Sequence, residues 1–319
     1  MHRGGSLLTF MTCQLATRRY SAVAVLVGLV LCGCGSSPTS AAVTATPSPA
    51  SIEHGKITVG GLARAYRIFR PQKLDAQNPT AMVVLLHGCG SSGDEFASVT
   101  RFDEQAAAAG IVAVYPDGLA NFGPGFNHCW NEFLDPTMPD DLTFLSQLID
   151  QLTKELPIDK NRIFVAGLQS GGHMAYTLAC AIPERIAAIA SISGGMPLDE
   201  QKASMRCSDN KRAKPVSVME MHGTADSFIP YEGGGVLNAP PTLDIVTYWA
   251  TVEGCTGDPS VNQSGITKTT VWKYCSGTSM VRLDTVTGGH NTWFGSTLDP
   301  VPGEPKASAA VWDFFNSLH

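Results

Sequence analysis

No stretch of this chain concentrates positive charge. Lysine and arginine number 22 in 319 residues, against 28 acids, for a net charge of −6. Without a basic block, or a basic stripe interleaved with aromatics, nothing supplies the phosphate-neutralising surface that a nucleic acid demands, so no nucleic-acid partner is expected. Long apolar runs are also scarce. The one near the N-terminus, residues 21–31, is too short to span a bilayer as a mature helix. No Cys-x-x-Cys pair occurs, so cysteine spacing offers no zinc site, and no metal or cofactor is expected. There is no internal repeat and no sign of a second domain.

What is present begins with an export signal. Arg18 and Arg19 precede the apolar run, which ends in Leu31-Cys32-Gly33-Cys34. This resembles a bacterial lipobox, with cleavage before Cys34 and lipid attached to it. Residues 1–33 therefore read as a lipoprotein signal peptide and residues 34–54 as a flexible tether rich in Ser, Thr, Pro and Ala. Residues 55–319 form the folded domain. The expectation is an exported protein, extracellular or held to the cell envelope, that touches membrane through its lipid alone. Six cysteines follow the tether: Cys89, Cys129, Cys180, Cys207, Cys255 and Cys275. An even number in an oxidising compartment suggests up to three disulfides. Spacing leaves the connectivity open. The favoured pairs are Cys255–Cys275, Cys180–Cys207 and Cys89–Cys129.

Strand and helix signals alternate along the domain. Two short runs around Gly60-Gly61 read as a hairpin. Residues 81–86, Ala-Met-Val-Val-Leu-Leu, are continuously apolar, as in a strand buried on both faces of a parallel sheet. Further strands are expected at 111–115, 162–166, 186–192, 216–221, 267–274 and 280–287. Helices are expected at 94–109, at 140–156 with Asp140 as cap, from near Ser170, at 241–253 and at 307–318. Residues 121–139 form a long loop rich in Gly, Pro, Asn and aromatics, and such loops are usually functional. The pattern predicts one doubly wound, mostly parallel sheet.

In such sheets ligands bind beyond the carboxyl ends of the strands. Four strand ends carry reactive or glycine-rich turns. His87-Gly88-Cys89-Gly90 can aim backbone N–H groups at a developing oxyanion, worth roughly 3–4 kcal/mol per donor in acyl transfer. Gly167-Leu168-Gln169-Ser170-Gly171-Gly172 follows a strand and opens a helix, the setting of an α/β-hydrolase nucleophile elbow. Asp226 and His290 close two later strands, and the order elbow, Asp, His is that of an α/β-hydrolase triad. His222 is expected to support the Asp226 turn by a hydrogen bond, and His173 to be an internal histidine.

With these residues in view, the chain resembles the polyhydroxybutyrate depolymerase and feruloyl esterase group of secreted carboxylesterases, LpqC-type lipoprotein esterases included. The likeness spans about residues 55–319. It rests on Leu85-Leu86-His87-Gly88-Cys89-Gly90, Tyr115-Pro116-Asp117-Gly118, Trp130-Asn131, Asp140-Asp141, the elbow with His173-Met174, His222-Gly223-Thr224-Ala225-Asp226 with Pro230-Tyr231, and Gly288-Gly289-His290. The resemblance implies a single-domain α/β-hydrolase fold. It implies hydrolysis of small or polymeric esters with Asp226 and His290 in the triad. Oxyanion donors are then expected at Cys89 or Gly90 and at Ser170, and an acyl pocket bordered by His128, Trp130 and Asn131.

One position departs from that pattern. Register set by the glycines puts Gln169 where the nucleophile belongs, and a carboxamide is no nucleophile. Ser170 sits one place late. Two readings follow: a serine-type carboxylesterase working through Ser170, Asp226 and His290, or a pseudoenzyme that binds ester-like ligands in a retained pocket.

Overall fold

The structure, a computed structural model, describes residues 50–196, 207, 214–235 and 238–318. They belong to one compact unit, Thr46–His319. The signal segment, Cys34 and nearly all of the tether lie outside the described residues.

The hairpin flanking Gly60-Gly61 is formed by β1, Ser51–Val59, and β2, Leu62–Arg70. Strand structure thus begins at Ser51, inside the segment assigned to the tether. The apolar runs become β3, Thr80–Leu86; β4, Val112–Pro116; β5, Ile158–Leu168; β6, Ala188–Ile192; β7, Ser217–Gly223; and β10, Val281–Val286. Between the last two lie β8, Ser260–Ser264, and β9, Thr267–Trp272. All ten join one sheet in the order β1-β2-β4-β3-β5-β6-β7-β10-β9-β8. The six central strands run parallel, and antiparallel hairpins close both edges.

Side chains of a strand alternate between faces, so an unbroken apolar run serves two cores. In β3, Met82, Val84 and Leu86 join one cluster, while Ala81, Val83 and Leu85 join the other. The first core is covered by α3, Asp141–Glu155; α4, Ser170–Ala181; and α5, Thr242–Val252. The second is covered by α1, Gly93–Thr100; α2, Phe102–Ala109; and α6, Ala307–Asn316.

Two expectations are corrected. The helix over 94–109 is two helices, because Arg101 takes a left-handed conformation (φ 49°) that ends α1 and restarts the chain as α2. β8 was not expected. Its polar, fully exposed sequence carries no alternation, and it forms by hairpin pairing with β9 across Gly265.

The three favoured cysteine pairs form: Cys89–Cys129, Cys180–Cys207 and Cys255–Cys275. The first ties the turn after β3 to the long loop. That loop is anchored again at its far end. The buried guanidinium of Arg64, from β2, pairs with Asp141 at 2.5 Å and donates to the Asp117 carbonyl at 2.9 Å. The other Asp141 oxygen accepts the Asn131 N–H at 2.7 Å.

Candidate functional site

β5 runs into α4 through one residue, Gln169, with φ 53° and ψ −118°. That backbone region is sparsely populated and costs a side-chain-bearing residue on the order of 1–3 kcal/mol. The flanking glycines permit the turn by close approach. A Cβ on Gly167 would lie 2.2 Å from the Gly171 carbonyl, and one on Gly171 would lie 2.1 Å from the Leu86 oxygen. The Gln169 N–H donates to Ile192 O at 3.0 Å, and its carbonyl accepts from the His173 N–H at 2.9 Å. The chain therefore builds a strained elbow and presents a carboxamide on it.

The Gln169 side chain spans two expected parts of the site. Its oxygen packs on the turn after β3, where a Cβ on Gly88 would lie 2.6 Å from it. Its Nε2 donates to Asn291 Oδ1. Asn291 Nδ2 in turn donates to Asp226 Oδ2 at 2.6 Å. The direction is dictated by chemistry: the carboxylate only accepts, so the Asn291 amide must turn its NH₂ to Asp226 and its oxygen to Gln169. Asp226, Asn291 and Gln169 form a continuous hydrogen-bonded chain ending on the elbow.

This arrangement gives each residue of the expected triad a different partner. His290 does not meet Asp226 or Ser170 in any hydrogen bond of the described residues. Its Nδ1 pairs with Asp299 Oδ2 at 2.7 Å, and its side chain is 43% exposed. The residue facing Asp226 is its neighbour, because successive side chains of the turn after Gly289 point in different directions. Ser170 is also placed elsewhere. Its Oγ donates to Glu132 Oε2 at 3.2 Å and accepts the Trp130 N–H at 3.1 Å.

The oxyanion and pocket expectations shift as well. The Gly90 N–H is occupied by Asn127 O at 2.8 Å, whereas Cys89 borders the cleft above the elbow. Of the loop residues expected at the acyl pocket, none lines that cleft. His128 is exposed on a positive-φ turn. Trp130 is buried, with its indole N–H on the His87 carbonyl at 2.8 Å. Asn131 braces the loop through Asp135 and Pro139. The wall is made instead by Phe122, Phe126 and Phe133 of the loop, with Phe228 and Ile229 opposite. Gln169, Ser170, Glu132 and His173 contribute its polar patches, and the cleft encloses about 340 Å³. The aromatic richness of the loop was a usable signal for this wall. Which aromatics face inward was not encoded in the pattern, and neither Glu132 nor Asn291 stood out from its neighbours.

Behind Asp226 lies a buried charged network. Both ring nitrogens of His222 face acceptors. Nδ1 is 3.0 Å from Glu220 Oε1, while Nε2 lies 2.8 Å from Ile229 O and 3.3 Å from Asp226 Oδ2. Between an ionised Glu220 and the Ile229 carbonyl, an imidazole carries two protons. Burial pushes His222 down, but its hydrogen bonds to Asp226 and Glu220 prevail and the pKa is pushed up to about 9. Burial also pushes Asp226 up, yet hydrogen bonds from His222, Asn291 and the Ile229 N–H hold it below the usual carboxylate range. His222 thus supports the Asp226 turn.

A pH dependence follows. The folded-state pKa of His222 lies above its unfolded value of about 6.5, so its stabilisation is complete below about pH 6.5 and is lost as pH rises through about 9. Urea midpoints measured across that window should fall more steeply for the native chain than for His222→Gln, which should be weaker at pH 6 and flatter above. Parallel curves would contradict the buried imidazolium.

Comparison with known proteins fits this geometry. The model of the phospholipase/carboxylesterase family matches residues 131–239. A protein of Nocardia uniformis described as an esterase, NocK, is 28% identical over 245 residues, covering 68% of this chain and 66% of that one. Feruloyl esterase D of Neurospora crassa is 25% identical over 307 residues and covers 90% of both chains. The chain spans 66%, 41% and 23% of the lengths of three curated relatives. The solved acetyl xylan esterase of Aspergillus awamori superposes with a TM-score of 0.61 over 83% of this chain and 99% of its own, at 15% identity, which is a likeness of fold. Residues 131–239 thus match a phospholipase/carboxylesterase family model, and the chain has the α/β-hydrolase fold and is similar in sequence to feruloyl esterases.

Proposed function

We propose that this protein is exported, anchored through lipid on Cys34, and acts on small carboxylic esters. Feruloyl-type, short aliphatic and hydroxyalkanoate esters all suit the cleft. The observation that carries this reading is the cleft itself: four phenylalanines wall a volume sized for a small acyl group, with the elbow at its base. An aromatic acyl group would lie between Phe126 and Phe228, whose rings are stacked with centroids 6.0 Å apart, and the Phe122–Phe133 pair. The ester carbonyl would then sit over Gln169 and Ser170. The three disulfides are compatible with export.

A second reading is capture of the ester without cleavage. It is favoured by the Asp226–Asn291–Gln169 chain, in which neither amide can act as nucleophile or general base. Titrating methyl ferulate against tryptophan fluorescence, with chromatography for released ferulate, separates the two. Binding with release supports hydrolysis. Binding without release supports capture. Failure to bind methyl ferulate, p-nitrophenyl butyrate and a hydroxybutyrate trimer would overturn both.

A further inference from the structure

The hydroxyl one residue beyond the elbow has acid–base partners of its own. Ser170 Oγ borders the cleft and donates to Glu132 Oε2 at 3.2 Å. Glu132 Oε1 lies 4.0 Å from His173 Nδ1. All three side chains are buried and all three line the same cleft. The Trp130 N–H points at Oγ from 3.1 Å and would favour negative charge there. Ser170 is also the first residue of α4, where the helix dipole favours an alkoxide. A nucleophile within hydrogen-bond reach of a base, with a third polar group beside the base, is the general arrangement for covalent catalysis.

We propose that Ser170 is acylated by esters bound in this cleft, with Glu132 as the general base and His173 as a positioning residue that holds the Glu132 carboxylate. This deepens the ester reading above and rests on it. In the first step Glu132 takes the hydroxyl proton while Oγ bonds to the ester carbonyl carbon. The bond from that carbon to the alcohol oxygen then breaks, and the alcohol leaves with the proton held by Glu132. The product is an O-acyl ester on Ser170. In the second step Glu132 takes a proton from water, the hydroxide displaces Oγ, and Oγ recovers the proton. The acid is released and the enzyme is unchanged. The step that sequence assigns to the elbow atom is thereby moved by one residue and given a carboxylate base in place of an imidazole.

The test uses the full chain with a fluorophosphonate probe, followed by peptide mapping. The expected result is a single adduct on Ser170, absent in Ser170→Ala. Glu132→Gln should slow labelling about 10²–10⁴-fold and Glu132→Asp less, the range for a lost general base. His173→Gln should slow labelling and shift the pH profile of labelling, a readout that a purely structural role would not move. The native chain decides first, so a variant that fails to fold does not shield the idea. An adduct on another residue, no adduct at all, or labelling indifferent to Glu132→Gln overturns the relay. If methyl ferulate still binds in that case, the ester reading stands without the relay. If it does not bind, the ester reading itself has failed.

Discussion

Changing Gln169 to Ser and Asn291 to His together should raise p-nitrophenyl acetate hydrolysis about 10³-fold over the native chain, while either change alone gains less than about tenfold. The reason is the hydrogen-bonded chain that ends on the elbow. Asp226 is already ionised, buried and aimed, with its Oδ2 on Asn291 at 2.6 Å and its Oδ1 on the Phe228 and Ile229 N–H groups. A histidine at 291 would place one ring nitrogen on that carboxylate and the other towards position 169, where Asn291 Oδ1 now meets the Gln169 amide. A serine at 169 would inherit the strained elbow and vacate the space against Gly88 that the carboxamide oxygen fills. Neither single change completes a nucleophile and a base, and such residues act as a unit. The gain should survive an added Ser170→Ala change. If His290→Ala abolishes it, or if Gln169→Ser alone reaches the same rate, Asn291 is not the residue in the histidine's place.

The second large effect is on stability. Asp141→Asn should lower the unfolding free energy by about 3–5 kcal/mol, because it leaves the Arg64 guanidinium buried without its partner. Arg64 is also stacked over Phe144, 4.0 Å from the ring centroid, so it has no route to solvent. Burial pushes the Asp141 carboxyl up even with Arg64 beside it, so the pair is poised and depends on both members. The loss should reach the cleft. Asn131 is held by Asp141 at 2.7 Å, and the following residues, Glu132 and Phe133, form part of the wall. Ester affinity should therefore fall together with stability. Denaturant titration of Asp141→Asn, and of the double variant Arg64→Met/Asp141→Leu, checks the claim. The double variant should recover most of the loss, since an apolar pair of similar volume replaces a desolvated ion pair. A loss under about 1 kcal/mol in the single variant would mean that the pair is solvated after all.

Much of the fold was legible locally. Continuous apolar runs such as residues 81–86 read as doubly buried strands because a parallel sheet covered on both faces needs no polar side. Asp140 read as a helix cap, and its Oδ1 does accept the Thr143 N–H at 2.9 Å. β8 escaped notice because its pairing partner, and not its own composition, makes it a strand. Arg101 escaped notice because a left-handed residue between two alanine- and acid-rich segments leaves the helical period almost intact.

The sequence by itself determined that a tight elbow follows β5, since only Gly167 and Gly171 admit the backbone contacts of that turn, and that no serine stands on it. It also determined the acidic balance of the chain and the six cysteines that the fold brings into pairs. Tertiary structure alone decided the chemistry around the elbow. Whether His290 or Asn291 faces Asp226 depends on how one turn rotates successive side chains, and that rotation is set by contacts with β7 and the Asp226 loop. Whether Ser170 has a base depends on Glu132, 38 residues earlier, folding back beneath a loop pinned by Cys89–Cys129 and Arg64–Asp141. A local pattern records which residues share a strand or a helix face. It holds no record of which residues from distant loops close to within hydrogen-bond reach, and here the site consists of those.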